Sequence, residues 1–181
     1  MNRFSLLLLL VACFCCQLPA QENDDLSFRD IVTESKEPNN DRVPDAFVVE
    51  SGFEKIVIIR LKHGTDLLDG IGKAVKEYGI KNAVVLSGIG SLTSYHLHSV
   101  SNTVFPTENI FYKSSEPTDL LSVNGYVFDE RIHVHVSVSN ETTAIGGHLE
   151  PGSHVFTFAI ITLGILKDGT DVSRLDDKTW R

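Results

Sequence analysis

Three histidines carry the strongest chemical signal in this chain: His133 and His135, separated by one residue, and His148 behind a pair of glycines. In Arg131-Ile132-His133-Val134-His135-Val136-Ser137-Val138, apolar and polar residues alternate strictly, which is the period of a β-strand. Both imidazoles then share one face, while Ile132, Val134, Val136 and Val138 share the other. Alternate strand residues lie roughly 6.6 Å apart, close enough for two rings to lean onto one cation with nitrogen bonds of about 2.0–2.1 Å. Gly146-Gly147 ahead of His148 allows a sharp turn or a close approach to another strand, and so a third ligand. Three neutral imidazoles with an open fourth position suit zinc, and also iron, copper or nickel. The plain alternative is that an alternating strand carries histidine on its wet face like any other polar residue, and His-x-His alone does not separate the two.

Tyr95-His96-Leu97-His98 repeats the His-x-His spacing on another presumed strand. By the same parity His96 and His98 share a face. They are candidates for contacts behind the metal ligands, for a second metal site, for a proton relay, or for plain solvated positions. Glu150 and Asp129 flank the histidine segments and are candidate bases or ligands. His63, near a helix start, and His154, after Pro151-Gly152, read as surface residues. Other chemistries lack their residues. Ser87-Gly88-Ile89-Gly90-Ser91 has neither the dinucleotide nor the P-loop spacing, and no His-Glu-x-x-His segment occurs.

The elements that must position these side chains can be read from periodicity. Ala46–Val49, Lys55–Leu61, Asn82–Leu86, Tyr95–Val100, Leu120–Phe128, Ile132–Ser139 and Val155–Leu166 read as strands rich in β-branched residues. Asp129-Glu130-Arg131 reads as a hairpin turn, and Ser87–Ser91 as the end of its strand. Leu67, Leu68, Ile71, Val75 and Tyr78 recur at helical spacing. Thr65 is placed to cap that helix at its start and Gly79 to close it in a left-handed turn. One main helix among about seven strands predicts an α+β protein with a mixed or antiparallel sheet.

The chain opens with Asn2-Arg3 and an apolar run from Phe4 to Cys16 broken only by Ser5. That run is short of the roughly 20 residues needed to span a bilayer. Leu18-Pro19-Ala20 follows, and polarity changes abruptly at Gln21. Residues 1–20 therefore read as a signal peptide cleaved after Ala20, for a secreted or periplasmic protein with no transmembrane segment after cleavage. Leu10-Val11-Ala12-Cys13 supports a competing reading, a lipoprotein lipidated at Cys13, and an uncleaved anchor is the remaining alternative. All three cysteines lie in this segment, so the mature chain would contain no disulfide framework. Residues 21–45 read as a flexible polar leader, 46–170 as one domain and 171–181 as a C-terminal tail. Net charge is −8, and −9 once Arg3 leaves with the signal. That balance opposes binding to phosphate backbones, which depends on basic side chains.

Taken in order, these residues resemble the PPC (PD1-like) domain shared by plants and prokaryotes. The resemblance rests on Arg60-Leu61-Lys62-x-Gly64-x-Asp66-Leu67, Gly88-x-Gly90-Ser91, Gly125, His133-x-His135, Gly146-Gly147-His148-Leu149 and Gly152-x-x-Val155. It runs from about Val49 to Leu166. It implies a sandwich-like α+β subunit that assembles into a homotrimer. It also implies a metal ion, commonly assigned as zinc, held by the histidines that match His133, His135 and His148. Plant members bind AT-rich DNA through a separate Arg-Gly-Arg hook, and this sequence has no such segment. Prokaryotic members often carry a glutamate where this chain has Ile160, so any role of that acid at the site is either lost here or taken by another group such as His96, His98 or Glu150. The signal peptide is a further departure.

Three functions remain open at this level. The first is an exported metal-binding trimer, either an enzyme using metal-bound water for hydrolysis, hydration or lyase chemistry or a sensor of a small-molecule ligand. The second is DNA binding by family analogy, which the charge and the missing hook oppose. The third is a purely structural trimer with histidines packed at its interfaces.

Overall fold

The computed structural model describes residues 31–33 and 44–177. The expected signal peptide, with Cys13 and the Ala20 cleavage point, lies outside these residues. One helix and nine strands are described: β1 (Ile31–Thr33), β2 (Phe53–Lys62), α1 (Leu67–Glu77), β3 (Ala83–Leu92), β4 (Tyr95–Val100), β5 (Glu108–Ser114), β6 (Thr118–Phe128), β7 (Arg131–Ser139), β8 (Ala144–Leu149) and β9 (Val155–Leu166). The strands form one sheet in the order β1-β5-β4-β8-β7-β6-β3-β9-β2. The α+β class and the single main helix are as expected. Of the two sheet types expected, the antiparallel one holds, since every neighbouring pair is antiparallel. A helix between two strands suggests a parallel crossover, and β2 and β3 do run in the same direction. However, β9 inserts between them, antiparallel to both.

Helix α1 starts at Asp66, whose carboxylate accepts hydrogen bonds from the backbone N–H groups of Leu68 (3.0 Å) and Asp69 (3.1 Å). The cap expected at Thr65 is therefore one residue later, because the Thr65 carbonyl is engaged by the Val155 N–H at 2.9 Å. The second Asp66 oxygen accepts from the Gly152 N–H at 2.6 Å, tying the helix start to the turn before β9. At the other end Gly79 adopts φ 63°, and the N–H groups of Gly79 and Ile80 bond back to Lys76 and Val75, the left-handed closure expected there. Leu67, Ile71 and Val75 are buried against the sheet. Tyr78, placed on the same face by spacing, is 72% exposed, because it lies in the cap where the helical path ends. The core joins these helix residues to Val123, Val134, Val136, Ile161 and Leu163.

Three segments depart from the expected reading. Ala46–Val49 forms no strand, and Val48 is 85% exposed, since β-branched residues need a paired neighbour to build a strand. Gly88 and Gly90 lie inside β3 rather than ending it. A Cβ at Gly88 would fall 2.4 Å from the Val123 Cβ, so glycine is there to let β6 side chains close over β3. Strands β5 and β8 are not marked by periodicity, since one mixes polar and apolar residues and the other contains the two glycines, which allow either a turn or a close strand approach. Ile31–Thr33, within the polar leader, pairs with β5, and the segment expected as a tail folds back, burying Val172.

Candidate metal centre

The register of the sheet aligns the histidines. His135 on β7 stands directly opposite His148 on β8, which stands opposite His98 on β4. Phe111 on β5 and Asn124 on β6 extend the row on either side. His133 lies two residues from His135 on the same face, turned away from α1, while the intervening Val134 and Val136 are buried in the core. Gly147 makes this alignment possible. A Cβ there would sit 2.5 Å from the His98 carbonyl oxygen, so only glycine lets β8 lie this close to β4. The glycines thus permit a close approach, and His148 sits on a strand rather than on a turn.

His133, His135 and His148 each offer a ring nitrogen, and the three nitrogens lie within 4.8 Å of one another. Their ring centroids are 5.6, 5.0 and 5.2 Å apart for the pairs 133–135, 133–148 and 135–148. Two nitrogens on a tetrahedral zinc ion stand about 3.3 Å apart, given bonds near 2.05 Å, so small ring rotations close the set. Burial, then the neighbouring His98, His133 and His135, push the His148 imidazole from 6.5 down to about 4, against an opposing pull from Asp176. Burial, then His133 and His98, also lower His135. The His135 and His148 rings are therefore neutral near pH 7, the form in which imidazole binds a metal. The donor set fits a zinc-like cation.

Asp176 was not anticipated. Its Oδ1 lies 3.3 Å from His133 Nδ1, and its Oδ2 pairs with Arg131 Nη1 at 3.3 Å. A carboxylate at Nδ1 places the proton there and leaves Nε2 free as the ligand atom. Nothing local marks Asp176, which reaches the site only because the C-terminal segment folds back. Tyr126, Phe128, Leu175 and Asp176 line a cleft of about 440 Å³ that opens onto His133 and His135, with the two aromatic rings stacked at 4.9 Å.

The other candidates separate. His98 and Glu150 meet, with His98 Nδ1 2.6 Å from Glu150 Oε1, and the His98 ring is 4.6 Å from that of His148. His96 points elsewhere. Its Nδ1–H donates to the Pro151 carbonyl at 2.8 Å, its ring leans on Phe111, and its buried Nε2 has no partner among the described residues. Asp129 lies in the β6–β7 turn, paired with Lys81 at 3.7 Å. His63 and His154 are exposed, as expected. Ile160 stands opposite Arg60 and Ile89, with β3 and β6 between it and β7.

Comparison with known proteins agrees with this architecture. Residues 49–167 match the Plants and Prokaryotes Conserved (PCC) domain. The fold is similar to that of a metal-containing protein from Archaeoglobus fulgidus, with 26% identity and TM-score 0.62 over 75% of this chain and 96% of that one. It is also similar to a plant- and prokaryote-conserved protein from Pyrococcus horikoshii, with 25% identity and TM-score 0.59 over 69% and 87% of the two chains. Among curated sequences, 114 residues are 29% identical to the bifunctional protein GlmU of Synechococcus (strain JA-3-3Ab). That stretch is 62% of this chain but only 17% of GlmU.

Proposed function

The chain belongs to the Plants and Prokaryotes Conserved domain family, and on that premise we propose that it is a metal-binding protein whose His133, His135 and His148 hold one divalent cation, zinc by donor chemistry. The observation that carries this reading is the convergence of three ring nitrogens within 4.8 Å on one sheet face, two of them, on His135 and His148, held neutral by burial and by neighbouring histidines. The metal-containing relative from Archaeoglobus fulgidus supports it. Such an ion supplies a Lewis acid with an open position, able to activate water or hold an anionic group. Asp176 orients His133, and the Tyr126–Phe128 wall beside the site would take the apolar part of a small-molecule ligand and exclude water from it.

A homotrimer and export to the cell exterior complete the proposal. Ile56, Ile58, Ile89, Leu121 and Phe158 share the sheet face that α1 leaves uncovered, each between 38% and 70% exposed. An apolar patch of that kind favours self-association. The positively charged Arg3 before the apolar segment supports export. Among the described residues no helix is long and apolar enough to cross a membrane. DNA binding draws no support from a chain with 24 acidic and 16 basic residues.

Elemental analysis of gently purified protein tests the reading. It should find at least one zinc-like ion per chain, with one ion fewer in His133→Ala and none lost in His63→Ala. Protein that never carries or takes up a divalent metal would overturn it.

A further inference from the structure

His148 has donors on both sides. On one side are His133 and His135. On the other, His98 and Glu150 take no part in the three-histidine set, yet the donor atoms of His98, His148 and Glu150 also lie within 4.8 Å of one another. The His148 ring stands 4.6 Å from His98 and 5.0 Å from His133, between the two sets.

This second group is rigidly built. Leu97 pairs with Leu149 and His98 with His148, the Glu150 N–H donates to the His96 carbonyl at 3.0 Å, and the Ser153 hydroxyl accepts from the His96 N–H at 3.0 Å. The side chains are shielded, 19% exposed for His98 and 24% for Glu150, and the Phe111 ring lies 5.3 Å from His98. Shielding lowers the local dielectric and strengthens attraction between a carboxylate and a cation. Two imidazoles and one carboxylate are a common donor set for zinc with an open position.

We propose that His98, His148 and Glu150 form a second divalent-cation seat adjoining the three-histidine centre, with the His148 ring between the two cations. The second seat goes beyond the reading above and shares only His148 with it. His148 would offer a ring nitrogen to each cation, and Glu150 would add a negative charge to the second seat. The carboxylate makes the second seat more tolerant of oxygen-preferring ions such as manganese than the all-nitrogen seat.

The test is a stoichiometric titration of the chelator-stripped full chain with cobalt(II), followed by calorimetry and visible absorption, with copper(II) resonance as a second readout. Two ions per chain are expected, falling to one in Glu150→Gln and in His98→Ala, with the tetrahedral cobalt bands of the first seat kept. His133→Ala should also retain one ion, now the one lost in Glu150→Gln. Two copper ions should give a coupled pair with a diminished resonance signal. Saturation at one ion per chain, lost in His133→Ala and kept in Glu150→Gln, would overturn the second seat and leave the three-histidine centre standing. A stoichiometry of two unchanged in both Glu150→Gln and His98→Ala would overturn it as well. Loss of an ion in Glu150→Gln with none lost in His133→Ala would support the second seat and sink the first.

Discussion

His135 and His148 face each other as a directly opposed pair across β7 and β8, their rings 5.2 Å apart and perpendicular. Opposed residues of an antiparallel pair have Cβ atoms only about 4.5–5.5 Å apart, so the sheet itself brings two ligands together. His133 and Asp176 add the third ring and its orientation.

Asp176→Asn should weaken metal binding by about 10–100-fold, the usual cost of losing a carboxylate behind a ligand histidine, while leaving the sheet intact. Competition against a chromophoric chelator measures the affinity, and circular dichroism checks the fold. Unchanged affinity would mean that the 3.3 Å contact to His133 Nδ1 does not orient the ring.

The metal-free protein should lose stability on mild acidification. Unfolded, His148 regains its ordinary value of 6.5, whereas folded it is held near 4. Between these limits the unfolded chain binds more protons, so stability falls as pH drops through this window. Urea unfolding at pH 7 and pH 5 measures the change, and His148→Gln should flatten it. Because protons compete with the ion for the same nitrogens, bound metal should be released as pH falls towards about 4, where folded His148 takes up its proton.

Gly147→Ala should cost about 1–3 kcal/mol, the range for overpacking a tight site, and should weaken metal binding at the same time. The added Cβ would meet the His98 carbonyl oxygen at 2.5 Å, forcing β8 away from β4 and carrying His148 with it. Thermal unfolding and cobalt titration of the variant read the two effects.

Asp66→Ala removes the α1 cap and the acceptor for the Gly152 N–H. Loss of an N-cap costs about 1 kcal/mol, so thermal stability should drop while metal affinity stays unchanged. The variant thereby separates damage to the scaffold from damage to the site.

The strict alternation of Ile132–Val138 made the His133–His135 pair and its shared face legible, because a two-residue period has one structural meaning. His148 was legible through its glycine pair, and of the two roles open to that pair, a turn or a close strand approach, it serves the second. Glu150 was marked only by its place next to the histidine segment, and its partner His98 became distinguishable from His96 only through β4–β8 register. Asp176 was not legible at all, since a polar residue in an apparent tail has no periodicity and its contact depends on the chain folding back. The insertion of β9 between β2 and β3 was hidden for a related reason. Local patterns specify which residues share a face, but pairing between distant strands is decided by the whole core.

X-ray absorption at the zinc edge on Glu150→Gln protein carrying one zinc ion per chain tests the central claim most directly, since it reads the three-histidine seat alone. The account predicts at least three imidazole nitrogens at about 2.0–2.1 Å from the ion, with one imidazole scattering shell lost in His135→Ala. A first shell of oxygens alone, or a spectrum unchanged in His135→Ala, would contradict it.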